Sequence, residues 1–242
     1  LGMTESSSSA LFINRPDVRS GDLGVPVPGL ELKLAPVDGK LEVRYRGPNV
    51  TPGYWRAPEA THEAFDEDGY FRTGDAVQWR DPQDRNQGLR FDGRIAEDFK
   101  LATGTFVNVG PLRARIIHAG APYIQDVVLT GLDRKEVGAI VFGTPACAAL
   151  SGLAAGATME QIMHSEPVQQ HLQTVLNQLA QTATGSATRI ARAVAAIKPP
   201  SLDLGEVTDK GSINQRAVLQ HRADVVAGLY DETLALILKP NL

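Results

Sequence analysis

The sequence has almost no cysteine and no long apolar run, and each shortage excludes a class of protein. Cys147 is the single cysteine among 242 residues, so an internal disulfide is impossible and a reducing cytoplasm fits. Its apolar neighbours indicate a small buried hydrophobe rather than a nucleophile. The longest apolar stretches fall well short of the roughly 20 residues that span a bilayer, so we expect no membrane partner.

Positive charge is also in short supply. Lys and Arg number 24 against 28 Asp and Glu, which gives a net charge of −4 with both signs interspersed. A nucleic-acid-binding protein normally shows a basic surplus or a basic stripe, so no nucleic-acid partner is expected. The histidines lack the spacing of zinc ligands, and we interpret them as structural or surface residues.

What the sequence does contain is the balance of a globular protein, with 43% apolar and 21% charged residues. It begins with Leu1 rather than Met, and no basic-then-apolar signal pattern follows. We therefore expect a processed chain or a piece of a longer protein, working in the cytoplasm.

Short strands and turns dominate up to about residue 93. Residues 30–34 alternate apolar and polar side chains, Asp38-Gly39 has the chemistry of a tight hairpin, and residues 41–45 form a returning strand. Two further extended pieces are predicted over residues 69–79 and 88–92. This pattern favours a small distorted β-barrel or sheet.

From residue 94 to 242 the pattern mixes strands with helices. Two β-branched runs, 127–130 and 137–142, flank a charged turn. Ser165 followed by Pro167 predicts a helix start with a capping side chain, and a last helix is predicted over about 213–228. The predicted fold class is therefore α+β, with a β-rich subdomain over 1–93 and a compact α+β domain over 94–242.

Five short motifs follow one another along the chain. They are residues 1–5 (Leu-Gly-Met-Thr-Glu), 39–44 through 53–55, 70–75 (Tyr-Phe-Arg-Thr-Gly-Asp), 93–98 (Gly-Arg-Ile-Ala-Glu-Asp) and 208–212 (Thr-Asp-Lys-Gly-Ser). Taken alone, residues 72–75 could be a strand leading into a turn. In this order and spacing the five segments resemble the adenylate-forming superfamily, which includes acyl-CoA synthetases, luciferases and nonribosomal peptide adenylation domains.

The resemblance covers nearly the whole chain and implies a place at the carboxy-terminal end of such an enzyme. Residues 1–93 would be the β-rich end of a large amino-terminal domain, and residues 94–242 a mobile domain. The superfamily joins a carboxylate to ATP, releases pyrophosphate and passes the acyl group to a thiol. Both partners of the first step are anions, so positioning and charge compensation carry the catalysis.

The resemblance assigns roles to Thr4 and Glu5. Thr4 would donate a hydrogen bond to a phosphate oxygen, and Glu5 would be a hard oxygen ligand for Mg²⁺. The alternatives are a helix N-cap for Thr4 and a solvated carboxylate for Glu5.

Asp75 and Arg94 are the implied nucleotide-binding residues. An ionised carboxylate only accepts hydrogen bonds, so Asp75 can receive both ribose hydroxyls. The rigid fork of Arg94 would contact the ribose or a phosphate. The alternative for Arg94 is a surface ion pair with Asp92 or Asp98.

Lys210 is implied as the catalytic lysine of the adenylation step, a compact charge between the attacking carboxylate and the α-phosphate. In many relatives this lysine directly follows the glycine, whereas here Lys210 precedes Gly211. An ordinary solvated lysine is the alternative.

Residues 93–98 are the implied hinge, about which the superfamily rotates its carboxy-terminal domain. Many relatives carry Asp or Lys where Ala96 stands, so polar stabilisation would come from Glu97 or Asp98. After rotation the loop from Lys100 to Gly104 would enter the site, and Gly104 would let the backbone approach the pantetheine channel closely.

Residues 93–100 and 208–216 look most like the feruloyl-CoA synthetase group, which activates hydroxycinnamic acids such as ferulate. The resemblance thus implies ATP, Mg²⁺, CoA, a small-molecule acid and the missing amino-terminal domain as partners. The family's phosphate loop and most of its acid pocket lie upstream, so this chain alone is expected to be inactive. Two alternatives stay open: an adenylation module serving a carrier protein or reductase, and a non-catalytic binding module.

Overall fold

The computed structural model describes residues 1–7, 9–208 and 211–241. They form two compact units, Leu1–Ala96 and Glu97–Leu242. Among the residues described, no helix is both long and apolar enough to cross a membrane.

The first unit is built on a six-stranded antiparallel sheet. Its strands are β1 (Leu11–Phe12), β2 (Asp22–Pro26), β3 (Glu31–Val37), β4 (Lys40–Arg46), β5 (Phe71–Trp79) and β6 (Leu89–Arg94). The spatial order is β1-β2-β6-β5-β4-β3. Helix α1 (Pro58–Ala64) lies between β4 and β5 in the chain, and short 3₁₀ turns cover Thr4–Ser6, Arg85–Gln87 and Ile95–Glu97.

The predicted hairpin is confirmed. Asp38 and Gly39 join β3 to β4 with positive φ angles of 48° and 83°, the geometry that matches the twist of the two strands. The two further extended pieces are confirmed as β5 and β6.

Of the predicted barrel or sheet, the sheet is confirmed and the barrel is wrong, because the sheet is open. A barrel closes only when its first and last strands pair. In the described part of the chain, β1 and β3 are the two edges and do not pair with each other. The short strands were visible in the sequence pattern, whereas their closure depends on tilt and stagger that alternation does not record.

The second unit confirms the mixed α and β content. Its strands are β7 (Phe99–Lys100), β8 (Phe106–Val107), β9 (Ile124–Thr130), β10 (Val137–Gly143) and β11 (Ile190–Ala195). Its helices are α2 (Val109–Ala119), α3 (Ala146–Ser151), α4 (Met159–His164), α5 (Glu166–Gln181), α6 (Gln215–His221) and α7 (Ala223–Asp231). Strands β7 and β8 form a hairpin, and β10 pairs antiparallel with β9 and parallel with β11.

The three-stranded sheet is buried on both faces, which explains its continuous apolar runs. Val127 and Val141 point to one face, where they pack with α2 and α5. Val128 and Ile140 point to the other, where they pack with α6 and α7. Cys147 is 1% exposed within the first of these cores, so the prediction of a buried hydrophobe is confirmed.

Helix α5 begins after Ser165 as predicted, with Pro167 in its first turn. The predicted capping role of the Ser165 side chain is wrong. Its Oγ donates to the carbonyl of Ile162 at 2.7 Å and so closes the end of α4. Helix α4 ends at His164, and a carbonyl of its last turn accepts the Ser165 hydroxyl.

The predicted single helix over 213–228 is two helices, α6 and α7, separated at Arg222. The Arg222 guanidinium donates to the buried Glu206 carboxylate and to the carbonyls of Lys198 and Pro199. Its backbone leaves the helical region at φ −114° and ψ 35°. Apolar residues continue on both sides of the break, so their spacing did not reveal it.

Candidate functional site

Asp75 and Arg94 are brought together at one end of the paired strands β5 and β6. They are cross-strand partners, and Arg94 Nε lies 3.5 Å from Asp75 Oδ1. Asp75 is buried at 3% exposure, whereas the Arg94 side chain is 64% exposed. The arginine therefore covers the carboxylate from the solvent side.

The Asp75 carboxylate retains hydrogen-bonding capacity. Its Oδ1 accepts no hydrogen bond from the described residues, although it is buried. Burial raises the pKa of Asp75, the Arg94 guanidinium lowers it, and the Glu42 carboxylate raises it again, with a net upward shift. An unpaired buried acceptor costs about 1–3 kcal/mol, so this oxygen is suited to a hydroxyl donor from a ligand. Arg94 must swing aside to admit one, and its exposure permits that.

The Asp75 backbone is held by a local bulge in β5. The pairing of β4 with β5 passes from Glu42–Ala76 to Arg44–Arg72, so β5 carries extra residues there. Gly74 takes a positive φ of 69° within this bulge, a conformation that glycine adopts without strain. The Thr73 hydroxyl donates to the Val43 carbonyl at 2.6 Å and accepts from Asp75 N at 3.0 Å.

The structure adds Glu42 to this site, a residue that sequence reasoning missed. Glu42 is 5% exposed, its Oε1 accepts from Gly74 N at 2.9 Å, and its Oε2 accepts from Arg44 Nε at 2.7 Å. Glu42 and Arg44 stand two apart in a strand whose other face is apolar, so alternation favoured a solvent-facing pair. The opposite charges of Glu42 and Arg44, two residues apart on one strand, were the only sequence signal of a polar contact here.

The charge network continues from Arg44 to Asp66. Arg44 Nη1 donates to Asp66 Oδ2 at 3.0 Å, and Lys33 Nζ donates to the same oxygen at 2.9 Å. Burial by itself raises the pKa of Asp66, but Lys33, the Tyr70 backbone N–H and Arg44 outweigh it, so the pKa lies well below its usual range. Asp66 and Asp75 are thus two buried aspartates with opposite electrostatic settings.

Thr4 and Glu5 lie on the first 3₁₀ turn. Glu5 is half-buried: its Oε1 accepts from the Tyr54 hydroxyl at 3.0 Å, and its carbonyl accepts from Thr51 N at 2.7 Å. Thr4 is exposed, and the cap position of this turn belongs to Met3, so the N-cap alternative is wrong. Within the described residues, no hydrogen bond or ion pair joins Thr4 or Glu5 to Asp75 or Arg94.

Glu5 fits one ligand position of a magnesium ion. Mg²⁺ is commonly bound by one or two carboxylates together with water and nucleotide phosphates, rather than by an all-protein cage. The described residues contain no cluster of three or more His, Cys, Asp and Glu that could form such a cage. A single carboxylate oriented by Tyr54 suits an ion held mainly by its nucleotide.

The alternative partners proposed for Arg94 have contacts of their own. Asp92 Oδ2 lies 3.7 Å from Lys40 Nζ, and Asp98 Oδ1 accepts from Val109 N at the start of α2 at 2.7 Å. In the hinge segment, Ala96 is exposed and Glu97 is half-buried at the end of the 3₁₀ turn.

Lys100 and Gly104 lie on the β7–β8 hairpin, and both are exposed. Gly104 has a φ of 81°, and its N–H donates to the Leu101 carbonyl at 2.8 Å. A Cβ at this position would meet nothing within 4 Å. The turn therefore requires glycine for its backbone angle and not for lack of space.

Lys210 lies outside the described residues. On either side of it, Val207 and Ile213 pair as an antiparallel bridge, and Thr208 N donates to the Ser212 carbonyl at 2.9 Å. Next to them, Gln215 is buried, with its side chain accepting from Leu129 N and donating to the Val127 carbonyl of β9. The segments that flank the lysine are thus fixed to the second unit.

Residues 98–234 match the family model described as AMP-binding enzyme C-terminal domain. The match covers more than half of the chain, which therefore belongs to this family. The family is the carboxy-terminal domain of adenylate-forming enzymes.

Curated relatives include long-chain-fatty-acid–CoA ligase 6 of Homo sapiens, 36% identical over 150 residues that cover 58% of this chain and 21% of that protein. The phenylacetyl-CoA ligase epaB of Aspergillus niger is 43% identical over 144 residues, which cover 56% of this chain and 26% of that protein. The chain thus spans about a quarter or less of these relatives.

Among solved structures, the adenylation domain of a carboxylate reductase from Mycobacterium chelonae is similar, with a TM-score of 0.71 and 23% identity. The match covers 95% of this chain and 34% of that chain. This likeness shows the fold.

Proposed function

We propose that the chain is the carboxy-terminal part of an ATP-dependent acid–CoA ligase that acts through an acyl-adenylate. The observation that carries this proposal is the buried Asp75 oxygen without a hydrogen-bond donor, covered by an exposed Arg94, in a member of this family. We further propose an aromatic acid such as ferulate as the substrate, on the resemblance of residues 93–100 and 208–216 to feruloyl-CoA synthetases.

The residues of the first unit would bind the nucleotide. Asp75 would accept the ribose hydroxyls, and Arg94 would move from Asp75 to the ribose or a phosphate as the nucleotide enters. Thr4 would donate its hydroxyl to a phosphate oxygen, and Glu5 would be a ligand of Mg²⁺. The ion, when bound, would neutralise phosphate charge.

Lys210 would hold the attacking carboxylate and the α-phosphate together by charge compensation. The domain over 94–242 would then rotate about the hinge at Ala96 and Glu97. That motion would bring Lys100 and Gly104 to the thiol side, where the side-chain-free Gly104 leaves room for pantetheine. A preceding amino-terminal domain of the same protein would supply the phosphate loop and most of the acid pocket, and the enzyme would work in the cytoplasm.

The test uses the full-length protein with ATP, Mg²⁺ and CoA, and compares ferulate, phenylacetate and a long-chain fatty acid. We expect AMP and acyl-CoA in equal amounts, formed most efficiently with ferulate. A preference for the fatty acid would refute the aromatic substrate while leaving the ligase proposal intact. The 242-residue chain alone is expected to release no pyrophosphate, and carboxylate-dependent release from it would show a complete site.

A second candidate is an adenylation module that serves a carrier protein or a reductase, favoured by the fold likeness to a carboxylate reductase adenylation domain. AMP formation without any acyl-CoA product would support this candidate against CoA ligation. No AMP with any acid would favour a non-catalytic binding module.

A further inference from the structure

We infer that Glu42 is a positioning residue for nucleotide binding, which holds the Gly74–Asp75 backbone so that the Asp75 carboxylate faces the ribose. This inference rests on the proposed function, because it assigns Glu42 a task at the same site. Glu42 itself would not touch the nucleotide.

The contacts of Glu42 make its carboxylate specific to this place. One oxygen accepts from Gly74 N and the other from Arg44 Nε, so both face donors. A carboxylate only accepts hydrogen bonds, whereas an amide would turn an NH₂ group toward one of these two donors. Neither a shorter acid nor an amide of the same length can therefore reproduce both contacts.

The N–H that Glu42 holds belongs to Gly74, the residue directly before Asp75. Gly74 is half-buried at a positive φ within the bulge, and its conformation is unrestrained by any side chain of its own. The Glu42 side chain holds its N–H, while the Thr73 hydroxyl bonds the neighbouring Val43 carbonyl. Two contacts with β4 therefore fix the backbone that orients Asp75.

Glu42 is in turn held by charged neighbours. Arg44 also forms an ion pair with Asp66, and Lys33 on β3 forms a second ion pair with Asp66. Negative and positive side chains therefore alternate from Glu42 outward. This chain of ion pairs fixes the position of the buried Glu42 carboxylate. The same carboxylate acts on Asp75 through its charge, which opposes ionisation of Asp75.

Three variants of the full-length protein separate the effect of the Glu42 side-chain length from the effect of its charge. Glu42→Asp keeps the charge but shortens the side chain, Glu42→Gln keeps the length but removes the charge, and Glu42→Ala removes both. Glu31→Gln is the matched control, because Glu31 lies on β3 in an exposed pair with Arg46. The measurements are the dissociation constant of AMP, KM for ATP, kcat, and the pH dependence of AMP binding.

We expect Glu42→Ala and Glu42→Asp to weaken AMP binding and raise KM for ATP about tenfold, the scale of one lost hydrogen bond to a charged acceptor. Acyl transfer from preformed acyl-adenylate to CoA should change less than twofold. The groups that face Asp75 are Arg94 from β6 with Glu42 and Tyr45 from β4. Removing the Glu42 charge should therefore move the acidic limb of AMP binding to lower pH in Glu42→Gln and Glu42→Ala, but not in Glu42→Asp.

A merely structural role would lower the unfolding temperature without moving this acidic limb. Wild-type AMP affinity in folded Glu42→Asp and an unmoved limb in folded Glu42→Gln, together with lost binding in Asp75→Ala, would overturn the inference and leave the proposed function standing. If the wild-type protein binds no AMP and forms no adenylate, the proposed function fails first and the inference fails with it.

Discussion

Arg94 Nε lies 3.5 Å from Asp75 Oδ1, and the two residues differ sharply in their exposure to solvent. Asp75 is buried in the sheet, while most of the Arg94 side chain is in solvent. An exposed arginine adds little stability through such a pair, so its displacement from Asp75 should cost little. We therefore expect the pair to act as a removable cover over a buried acceptor.

Replacing Arg94 with Ala should raise the pKa of Asp75, because the guanidinium now favours the ionised carboxylate. The cost in stability should be about 1 kcal/mol, because the Arg94 side chain is 64% exposed and solvent screens its charge. Carboxyl ¹³C NMR titration would measure the pKa, and chemical denaturation the stability. Arg46→Ala is the control, because its partner Glu31 is exposed and on another strand. An unchanged or lower Asp75 pKa in Arg94→Ala would show that the cover exerts no field on the carboxylate.

Asp75→Asn should stabilise the chain at neutral pH while abolishing nucleotide binding. The folded-state pKa of Asp75 is raised, so its ionisation opposes folding above that pKa and has no effect below the unfolded value. Asparagine cannot ionise, so the cost of burying the charged carboxylate disappears and the gain should be on the order of 1 kcal/mol. Urea denaturation at pH 7 and at pH 3 would test this, because the gain should shrink in acid.

Asp66→Asn is the matched opposite case, in the turn that leads from α1 into β5. The folded-state pKa of Asp66 is lowered, so its ionisation favours folding above the unfolded value near 3.9 and that contribution is lost as pH falls. The amide loses charge-assisted bonds from Lys33 and Arg44, which should cost about 2 kcal/mol at pH 7. Stability changes of the same sign in Asp75→Asn and Asp66→Asn would contradict the opposite electrostatic settings of the two aspartates.

The sequence predicted the strands and the site residues unequally well, for physical reasons. The β3–β4 hairpin was predictable because alternation and an Asp-Gly turn are local signals. Glu42 was not, because alternation records which face a side chain takes and not which donors meet it there. The break at Arg222 depends on Glu206, which is 16 residues away in the chain. Local sequence patterns therefore identified strands and helices. Polar contacts between residues far apart in the chain determine where a helix breaks and which side chains are held in place.

Lys210→Ala in the full-length protein should depress adenylation at least a hundredfold, on the order of one lost electrostatic contact to the transition state. Acyl transfer from preformed acyl-adenylate to CoA should change little, because the lysine is proposed to act only in the first step. Pyrophosphate release and thioester formation would be measured separately. Lys135→Ala, an exposed lysine in the same unit, is the control. Equal losses in both half-reactions would show that Lys210 has been given the wrong role.

Gly104→Ala separates a backbone requirement from a packing requirement. The added Cβ would meet nothing within 4 Å, so any cost comes from the φ of 81°. That cost should be about 1 kcal/mol for a residue other than glycine. Gly185→Ala is the matched control, because a Cβ there also meets nothing within 4 Å but the backbone lies outside the left-handed region. It should be neutral, or stabilising by about 0.4–1 kcal/mol through the unfolded state.

The same pair of variants tests the thiol side of the proposed mechanism. If the Gly104 turn approaches pantetheine, Gly104→Ala in the full-length protein should raise KM for CoA while leaving pyrophosphate release unchanged, and Gly185→Ala should alter neither. Denaturation curves measured in parallel would reveal any general loss of structure, which would depress both half-reactions together. An unchanged KM for CoA in a folded Gly104→Ala protein would mean that the turn needs its glycine for the hairpin alone, because the φ requirement would remain while the close approach to CoA would not.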